Sequence, residues 1–359
     1  MAPVAATMKR DFPEVKEAAR IQQMGETKTF YKNQFFRGDK FAFADPEVFS
    51  IFSLPFIEGD PKTALQQPHT IVITKAAAEK FFGNEEAIGK VLGFDDNKES
   101  FKVTGVIENI PANSHFHFDM LASMTSFEPA KSDSWMNGGF HTYLLLKPGA
   151  HYQNVEARFP EMVEKYMGPQ IQKEMGLSLT QFRSKGNQLG FSLQPLTSIH
   201  LNSYTSTEFE PGGNRNYVYI LGVIGLFMLA VACINFINLS TAAATKRAKE
   251  VGVRKAIGSE KSQLIKQFLI ESICISVFSL AIAALLVKFA IPAFNQISGK
   301  QLVFDLNPVL GLIVFGLFVG FIAGIYPAFY LSSFKAISVL KGQVTRGDKS
   351  FNLRSGLVI

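Results

Sequence analysis

Three long segments that are nearly free of charge constrain this chain more than any other feature. They are residues 217–239, 268–291 and 308–331, and only Glu271 and Lys288, near the ends of the second segment, carry charge. A helix needs ~20 apolar residues to cross a hydrocarbon core of ~30 Å, and each segment is long enough. Because all three crowd into the last third of the chain, they predict membrane-spanning helices rather than buried helices of a water-soluble protein.

The loops beside these segments differ sharply in charge. Seven Lys and Arg residues lie between the first and second segments and five follow the third, whereas residues 292–307 hold one Lys and one Asp. Cytoplasmic loops of membrane proteins are enriched in Lys and Arg. We therefore predict that residues 240–267 and the C-terminal tail are cytoplasmic, and that residues 1–216 and 292–307 lie outside the cytoplasm.

The N-terminal sequence does not explain how residues 1–216 would be exported. Residues 1–15, MAPVAATMKRDFPEV, contain no apolar signal region. We therefore expect a further membrane span before this sequence. The ending LRSGLVI, which follows a basic tail, resembles the start of another span, so the sequence is expected to be part of a longer membrane protein.

Residues 1–216 read as an α+β domain. Apolar residues at Val15, Ala18, Ala19 and Ile21 predict an amphipathic helix over FPEVKEAARIQQM. A helix capped by Thr74 is predicted over TKAAAEKFF, and a longer helical stretch around NVEARFPEMVEKYM. Strands are predicted over the remaining patterned segments: KTFYKNQFFRG, DKFAFADPEVFSIF, HTIVIT, SFKVTGVIENI, HTYLLLKPG and FSLQPLTSIHL.

Two motifs in this domain resemble ligand sites, and we weigh both against structural roles. The segment GNEEAIGKV, residues 83–91, has five residues between its glycines where a phosphate-binding loop has four, and Val91 stands where Ser or Thr would bind magnesium. A turn explains it better. His115, His117 and Asp119 alternate as metal ligands on a strand would, but nothing nearby supplies further ligands, so surface strand residues are favoured.

No residue set points to catalysis or to a bound cofactor. Cys233 and Cys274 both lie in apolar segments, where small core residues are the expected interpretation and neither a disulfide nor a metal site is expected. No Ser-His-Asp, Cys-His or paired-carboxylate arrangement stands out, and the chain has no Walker A sequence. We predict a protein that is not an enzyme and needs no cofactor of its own.

Several segments together resemble a known family, the MacB/FtsX-type permease subunits of ABC transporters. The likeness rests on residues 45–65, 71–92, 103–121 and 195–201 in the outer domain, and more specifically on residues 233–272 and 324–342 in the membrane part. It implies a MacB-like extracytoplasmic core domain over residues 1–216, followed by an FtsX-like permease domain over residues 217–359. It also implies that the family's first span and second half lie outside this sequence.

The resemblance further implies how each part is organised. The outer domain would contain a porter-like subdomain, about 1–58 and 138–205, and a β-rich insertion, about 59–137. The segment EVGVRKAIG would be the cytoplasmic coupling segment that docks on a separate ABC ATPase. The residues assigned to this docking role are Glu250, Val251, Gly252, Val253, Arg254, Lys255, Ala256, Ile257 and Gly258.

The residues of this segment suit such a role on chemical grounds. Val251, Val253, Ala256 and Ile257 would form an apolar ridge on a helix ended by Gly258, and Arg254 and Lys255 would contact acidic groups of the partner. The alternative is that its Lys and Arg residues only fix the topology and bind anionic lipid. Charge alone favours that alternative, whereas the resemblance favours docking.

Small residues in the third apolar segment predict close helix packing. Gly316, Gly320 and Gly324 form two overlapping GxxxG spacings, which allow two helix backbones to approach each other. The alternative is that these glycines face lipid.

The function that follows is a permease that couples ATP hydrolysis by a partner ATPase to movement of its outer domain, for export or substrate handling in the envelope. Expected partners are an ABC ATPase, the lipid bilayer, a second permease half or protomer and a periplasmic or outer-membrane protein, with no nucleic acid. The expected location is the bacterial inner membrane. A regulatory or signalling scaffold that activates an envelope hydrolase or senses peptides is the alternative, and the cargo is not readable from the sequence.

Overall fold

The computed structural model describes residues 1–32, 34–94, 99–202, 207–298, 302–304 and 307–334. The basic tail beyond Phe334 lies outside this described part. The chain divides into two compact units between Asn214 and Arg215. Each unit is described by itself below.

The N-terminal unit is built on one sheet of eight strands, named in chain order. Six of them pair in the order β1–β2–β7–β4–β6–β5 and back to β1, so the hydrogen-bonded pairings form a closed circuit. β8 extends the sheet from β1 and β3 from β6. Closure leaves few strand edges unpaired. The strands are β1 (Val15–Tyr31), β2 (Gln34–Ala44), β3 (Phe56–Gly59), β4 (Thr70–Thr74), β5 (Val91–Phe94), β6 (Glu99–Ile107), β7 (Met120–Ser123) and β8 (His141–Leu146).

Each strand of the circuit sends alternate side chains to opposite faces of the sheet, and both faces are apolar. One face carries a core rich in aromatic rings, which includes Phe41, Phe43, Ile71, Ile73 and Phe101. The opposite face carries a second core, which includes Ala42, Ala44, Val72, Leu121 and Phe209. The strands are therefore held by burial on both sides.

Short helices form a further layer around a third apolar cluster. This cluster joins Val4 and Met8 of the first helix with Trp135, Phe159 and Ile171 from later in the chain. The helices are α1 (Val4–Asp11), α2 (Val48–Ile51), α3 (Lys75–Phe82), α4 (Tyr152–Glu156), α5 (Phe159–Met162), α6 (Gly168–Met175), α7 (Leu179–Ser184) and α8 (Ile199–Asn202). Mixed strands and helices confirm the predicted α+β class. The division into porter-like and β-rich subdomains stays a prediction.

The helix predicted over residues 12–24 is wrong, because this segment begins strand β1. Val15 and Ala18 pack into the cluster below the helices, whereas Ala19 and Ile21 pack into the core on the other side. The pairing of β1 with β8 also shifts register between Val15 and Glu17. Burial on both faces, combined with this irregularity, produces the spacing that the sequence presents as helical.

Other predictions for this unit are mixed. Thr74 caps α3 as predicted, since its hydroxyl accepts a hydrogen bond from the Ala77 N–H at 3.3 Å. The strand predicted over residues 191–201 is wrong, because this stretch contains a short 3₁₀ turn and α8. Residues 115–119 are likewise not a strand, and they lead into β7 with Phe116 and Phe118 buried.

The C-terminal unit contains four helices among its described residues. Three of them are long and apolar enough to cross a membrane, which confirms the three predicted spans. α12 packs against both α9 and α11, and α10 contacts α9 and α12. The helices are α9 (Arg215–Ala242), α10 (Ala244–Ala256), α11 (Lys261–Ser298) and α12 (Asn307–Ser332).

Candidate functional site

The segment assigned to ATPase docking forms α10 and the turn that ends it. Gly258 adopts φ +103°, a conformation that side chains with a Cβ rarely adopt. The Gly258 N–H donates to the Lys255 carbonyl at 3.1 Å and the Ser259 N–H to the Arg254 carbonyl at 2.9 Å. These bonds give hydrogen-bond donors to carbonyls that would otherwise have none at the end of the helix. The helix therefore ends where the sequence predicts.

One side of α10 is buried against the membrane helices. Ala248 and Val251 are each 1% exposed, and Gly252 is buried beside them. Val251 packs in a small apolar cluster with Leu264 and Phe268 of α11 and with further residues of α12. A helix with apolar residues on one side is held mainly by this kind of tertiary packing.

The four residues predicted to form one apolar ridge do not share an exposed face. Val251 points into the cluster just described, whereas Val253 is 46% and Ile257 82% exposed, and Ala256 is exposed beside them. The reason is the helical period, since residues two positions apart lie on different sides of a helix. Val253, Ala256 and Ile257 are the residues left available for a partner.

The basic side chains of this segment also have different partners. Lys255 Nζ donates to the Ser332 carbonyl at 2.6 Å and to the Phe334 carbonyl at 2.8 Å. A cation at these carbonyls opposes the negative end of the α12 dipole. Burial, together with the charge of Lys261, lowers the pKa of Lys255. Lys255 therefore anchors α10 to the end of α12, a role that the sequence did not reveal.

Arg254 stays at the surface with weaker partners. Its guanidinium contacts Glu250 Oε1 at 2.8 Å, one turn earlier, and donates to Gln267 Oε1 at 2.5 Å. Exposed ion pairs of this kind contribute about 0–1 kcal/mol, so a partner carboxylate can compete for Arg254 at small cost. Arg247 pairs with Glu271 at 2.7 Å and ties α10 to α11 as well.

The three glycines of α12 lie where α11 approaches most closely. A Cβ added at Gly316 would lie 2.9 Å from Leu280 Cδ2, and one added at Gly324 would lie 2.7 Å from Ser272 Cβ. At Gly320 it would lie 2.8 Å from Ser276 Cβ and 3.0 Å from the Cα of Ile273. Small residues permit this backbone approach.

Serines on α11 complete the contact, and sequence reasoning missed them. The Ser276 hydroxyl donates to the Gly316 carbonyl at 2.8 Å. Ser272 lies one turn earlier, 8% exposed, against Gly324. The i, i+4 spacing of two serines in an apolar span was the available signal, because small polar residues favour helix interfaces in membranes. Helix α10 thus rests on two closely packed spans.

The described part of the chain brings no three His, Cys, Asp or Glu side chains together as metal ligands would be. His115 and His117 have other partners. His115 Nε2 lies 2.7 Å from the Tyr143 hydroxyl, and His117 lies 3.0 Å from Glu210. Residues 83–90 form the connection between α3 and β5, and Val91 is the first residue of β5.

Comparison with known proteins gives matches in both units. A model of the MacB-like periplasmic core domain matches residues 1–162, and a model of the FtsX-like permease C-terminal region matches residues 222–336. The two matches do not overlap and follow each other in the order that the sequence analysis predicts.

Curated relatives give the same assignment at low identity. The uncharacterized ABC transporter permease YvrN of Bacillus subtilis is 24% identical over 310 residues, which cover 83% of this chain and 68% of YvrN. The macrolide export ATP-binding/permease protein MacB of Bdellovibrio bacteriovorus is 26% identical over 271 residues, 75% of this chain and 38% of that protein. The match to MacB of Campylobacter jejuni, at 27% identity, covers 39% of this chain and 22% of that protein.

Among solved structures, a permease domain from Porphyromonas gingivalis shares 25% identity at a TM-score of 0.42, covering 46% of this chain and 76% of that one. The periplasmic region of MacB from Actinobacillus actinomycetemcomitans shares 14% sequence identity at a TM-score of 0.34, covering 53% of this chain and 85% of that one.

The chain spans well under half of the length of the MacB proteins it matches. With a core-domain match, a permease-domain match and three spanning helices, this chain belongs to the MacB/FtsX type of ABC transporter permeases.

Proposed function

We propose that this chain is the membrane subunit of an ABC exporter in the bacterial inner membrane, driven by a separate ATPase that docks on α10. The observation that carries the proposal is the two-sided character of α10. One side is fixed to α11 and α12 through Val251 and Lys255, while Val253 and Ile257 are exposed on the other. An exposed apolar side on a cytoplasmic helix suits a groove on a partner protein.

The anchoring of α10 gives the proposal a physical route for movement. Lys255 bonds to the end of α12, and Arg247 pairs with Glu271 near the start of α11. A displacement of α10 by the ATPase would therefore exert force on α11 and α12 at the same time. The close contact at Gly320 would oblige α11 and α12 to move as a pair, because packed interfaces resist continuous deformation.

The chain itself performs no chemical step in this proposal. ATP would be bound and hydrolysed by the partner, and the outer unit would receive the movement and act on cargo. The names of the MacB relatives, which describe macrolide export and ATP binding, support an ATPase-driven exporter as the class.

The test is co-purification of the permease with a candidate ABC ATPase from the same genome. Val253→Asp should reduce recovery of the ATPase by at least about tenfold, since an unpaired carboxylate buried in a docking groove costs several kcal/mol. Insertion into the membrane should be unchanged, because Val253 lies outside the spans.

The matched control is Val91→Asp in the outer unit. Val91 is 53% exposed, close to the value for Val253, so the same change is made at similar exposure but away from α10. It should leave ATPase recovery unchanged. Full recovery with Val253→Asp would reject docking at this face, and losses that follow only the number of Lys and Arg residues removed would indicate lipid binding instead.

A further inference from the structure

A short segment of the outer unit, residues 207–210, is held on the sheet just before the chain enters the membrane. We call this segment the strap. It ends five residues before α9 begins at Arg215. Phe209 is 8% exposed and packs on Phe118, with ring centroids 5.1 Å apart, and on His141, at 3.9 Å. The strap therefore has a buried aromatic anchor.

Ionic contacts hold the strap beside this anchor. Glu210 accepts from Lys40 Nζ at 3.0 Å and lies 3.0 Å from His117 Nδ1. The other ring nitrogen of His117 lies 2.9 Å from the Pro111 carbonyl. Desolvation would raise the pKa of Glu210, but the hydrogen bonds from Lys40 and His117 outweigh it and lower that pKa. Glu210 keeps Lys40 as a partner whichever charge His117 carries.

His141 holds the start of the strap through one ring nitrogen, and the surroundings of the other ring nitrogen favour a neutral ring. Its Nε2 donates to the Thr207 carbonyl, because a carbonyl can only accept. Its Nδ1 is buried and has no hydrogen-bond partner. A second proton on Nδ1 would therefore be buried without a hydrogen-bond acceptor, which costs free energy.

The groups that face His141 act in both directions. Burial lowers the pKa of His141 and of His115 below the ordinary 6.5; the hydrogen bond from His141 to the Thr207 carbonyl and the nearby carboxylates only partly oppose this. Desolvation also raises the pKa of Tyr143, so this phenol stays neutral. Among the described residues, the charged and titratable groups around the strap are Glu208, Glu210, His115, His117, Tyr143 and Lys40.

We propose that the strap is an acid-released latch. At neutral pH it binds the segment that leads into α9 to the sheet of the outer unit, and it dissociates from the sheet when the pH of the surroundings falls. A histidine with a lowered folded pKa binds its proton more readily in the released state. The stability of the closed latch is therefore complete above about pH 6.5 and is lost as the pH falls below that value. Protonation of Glu210 would weaken it further below about pH 4.5.

The consequence for transport rests on the proposed function, whereas the latch itself does not. An extracytoplasmic latch is exposed to the pH of the envelope rather than of the cytoplasm. After release, α9 could move without moving the outer unit. The same conformational change of the ATPase would therefore move the outer unit less at acid pH.

Amide hydrogen exchange on the full-length permease in lipid nanodiscs tests the latch directly. Residues 207–212 should be protected at pH 8 and should lose protection by pH 5 after correction for the intrinsic rate, by up to about thirtyfold for each ring that stays neutral in the closed latch, since a released histidine titrates at about 6.5. Phe209→Ala should remove the protection at every pH. Unchanged exchange of β4 and β6 shows that each variant is folded.

Three variants identify the groups responsible. The double variant His115→Gln, His141→Gln cannot be protonated at these positions, so its profile should be flat while protection at pH 8 remains. His117→Gln should keep the loss in acid, and His151→Gln, an exposed histidine away from the strap, should behave as the wild type. Protection of the strap that does not change from pH 8 to pH 5, or loss in acid that persists in the double variant, would overturn the latch. Failure of ATPase docking would leave both results unaffected.

Discussion

Gly320 offers a quantitative test of how α11 and α12 pack. A Cβ at this position would lie 2.8 Å from Ser276 Cβ and 3.0 Å from the backbone Cα of Ile273. Rotation of the serine side chain moves its hydroxyl but not its Cβ, so neither contact can be relieved without shifting the backbone of α11. Gly320→Ala should therefore force the two helices apart.

The magnitude follows from two opposing effects. Overpacking of this kind costs about 1–3 kcal/mol, and replacing Gly by Ala inside a helix contributes about 1 kcal/mol in the opposite direction. Gly311 lies on the same helix with nothing within 4 Å of its added Cβ, so Gly311→Ala reports the second effect alone. The difference between the two variants should be about 1–3 kcal/mol in favour of Gly311→Ala, and Gly320→Leu should be worse than Gly320→Ala.

The assay is unfolding of the purified permease in mixed micelles by increasing mole fractions of a denaturing detergent, followed by circular dichroism. Membrane levels of each variant give a second measurement in cells. Equal midpoints for Gly320→Ala and Gly311→Ala would refute the reasoning, since they would mean that Gly320 faces lipid and that α11 does not approach it in the folded protein.

Two further predictions concern α10 and the topology. Lys255→Met should free α10 from the end of α12, at a cost of about 1.5 kcal/mol for the loss of a charged donor at a half-buried site. We expect faster proteolysis within residues 244–258 and unchanged insertion into the membrane. An unchanged rate of cleavage would mean that the hydrogen bonds of Lys255 do not hold α10. Topology can be tested in a background without Cys233 and Cys274. A membrane-impermeant maleimide should label Ser184→Cys in cells whose outer membrane has been permeabilised, and it should label Ser262→Cys only after the cells are lysed. The reverse pattern would reject the predicted orientation.

The sequence by itself determined the features that depend on local chemistry. Three stretches of the required length that are almost free of charge are expected to be helices in a bilayer, because hydrocarbon leaves no other partner for the backbone. Thr74 before an alanine-rich run predicts a capped helix, and Gly258 predicts the end of α10, since each acts on its neighbouring residues. The order of a core domain followed by spans was readable for the same reason.

The tertiary structure decided which partner each of these elements meets. Residues 15–21 form a strand because β8 pairs along the edge of this segment and two apolar clusters cover its two faces, which no local pattern records. Val251 is buried because Leu264 and Phe268 pack against it. Lys255 donates to the carbonyls of Ser332 and Phe334, which lie 77 and 79 residues further along the chain. The strap likewise joins Phe209 and Glu210 to His141 and His117. Such contacts are fixed by packing between distant segments, and spacing along a single chain does not reveal them.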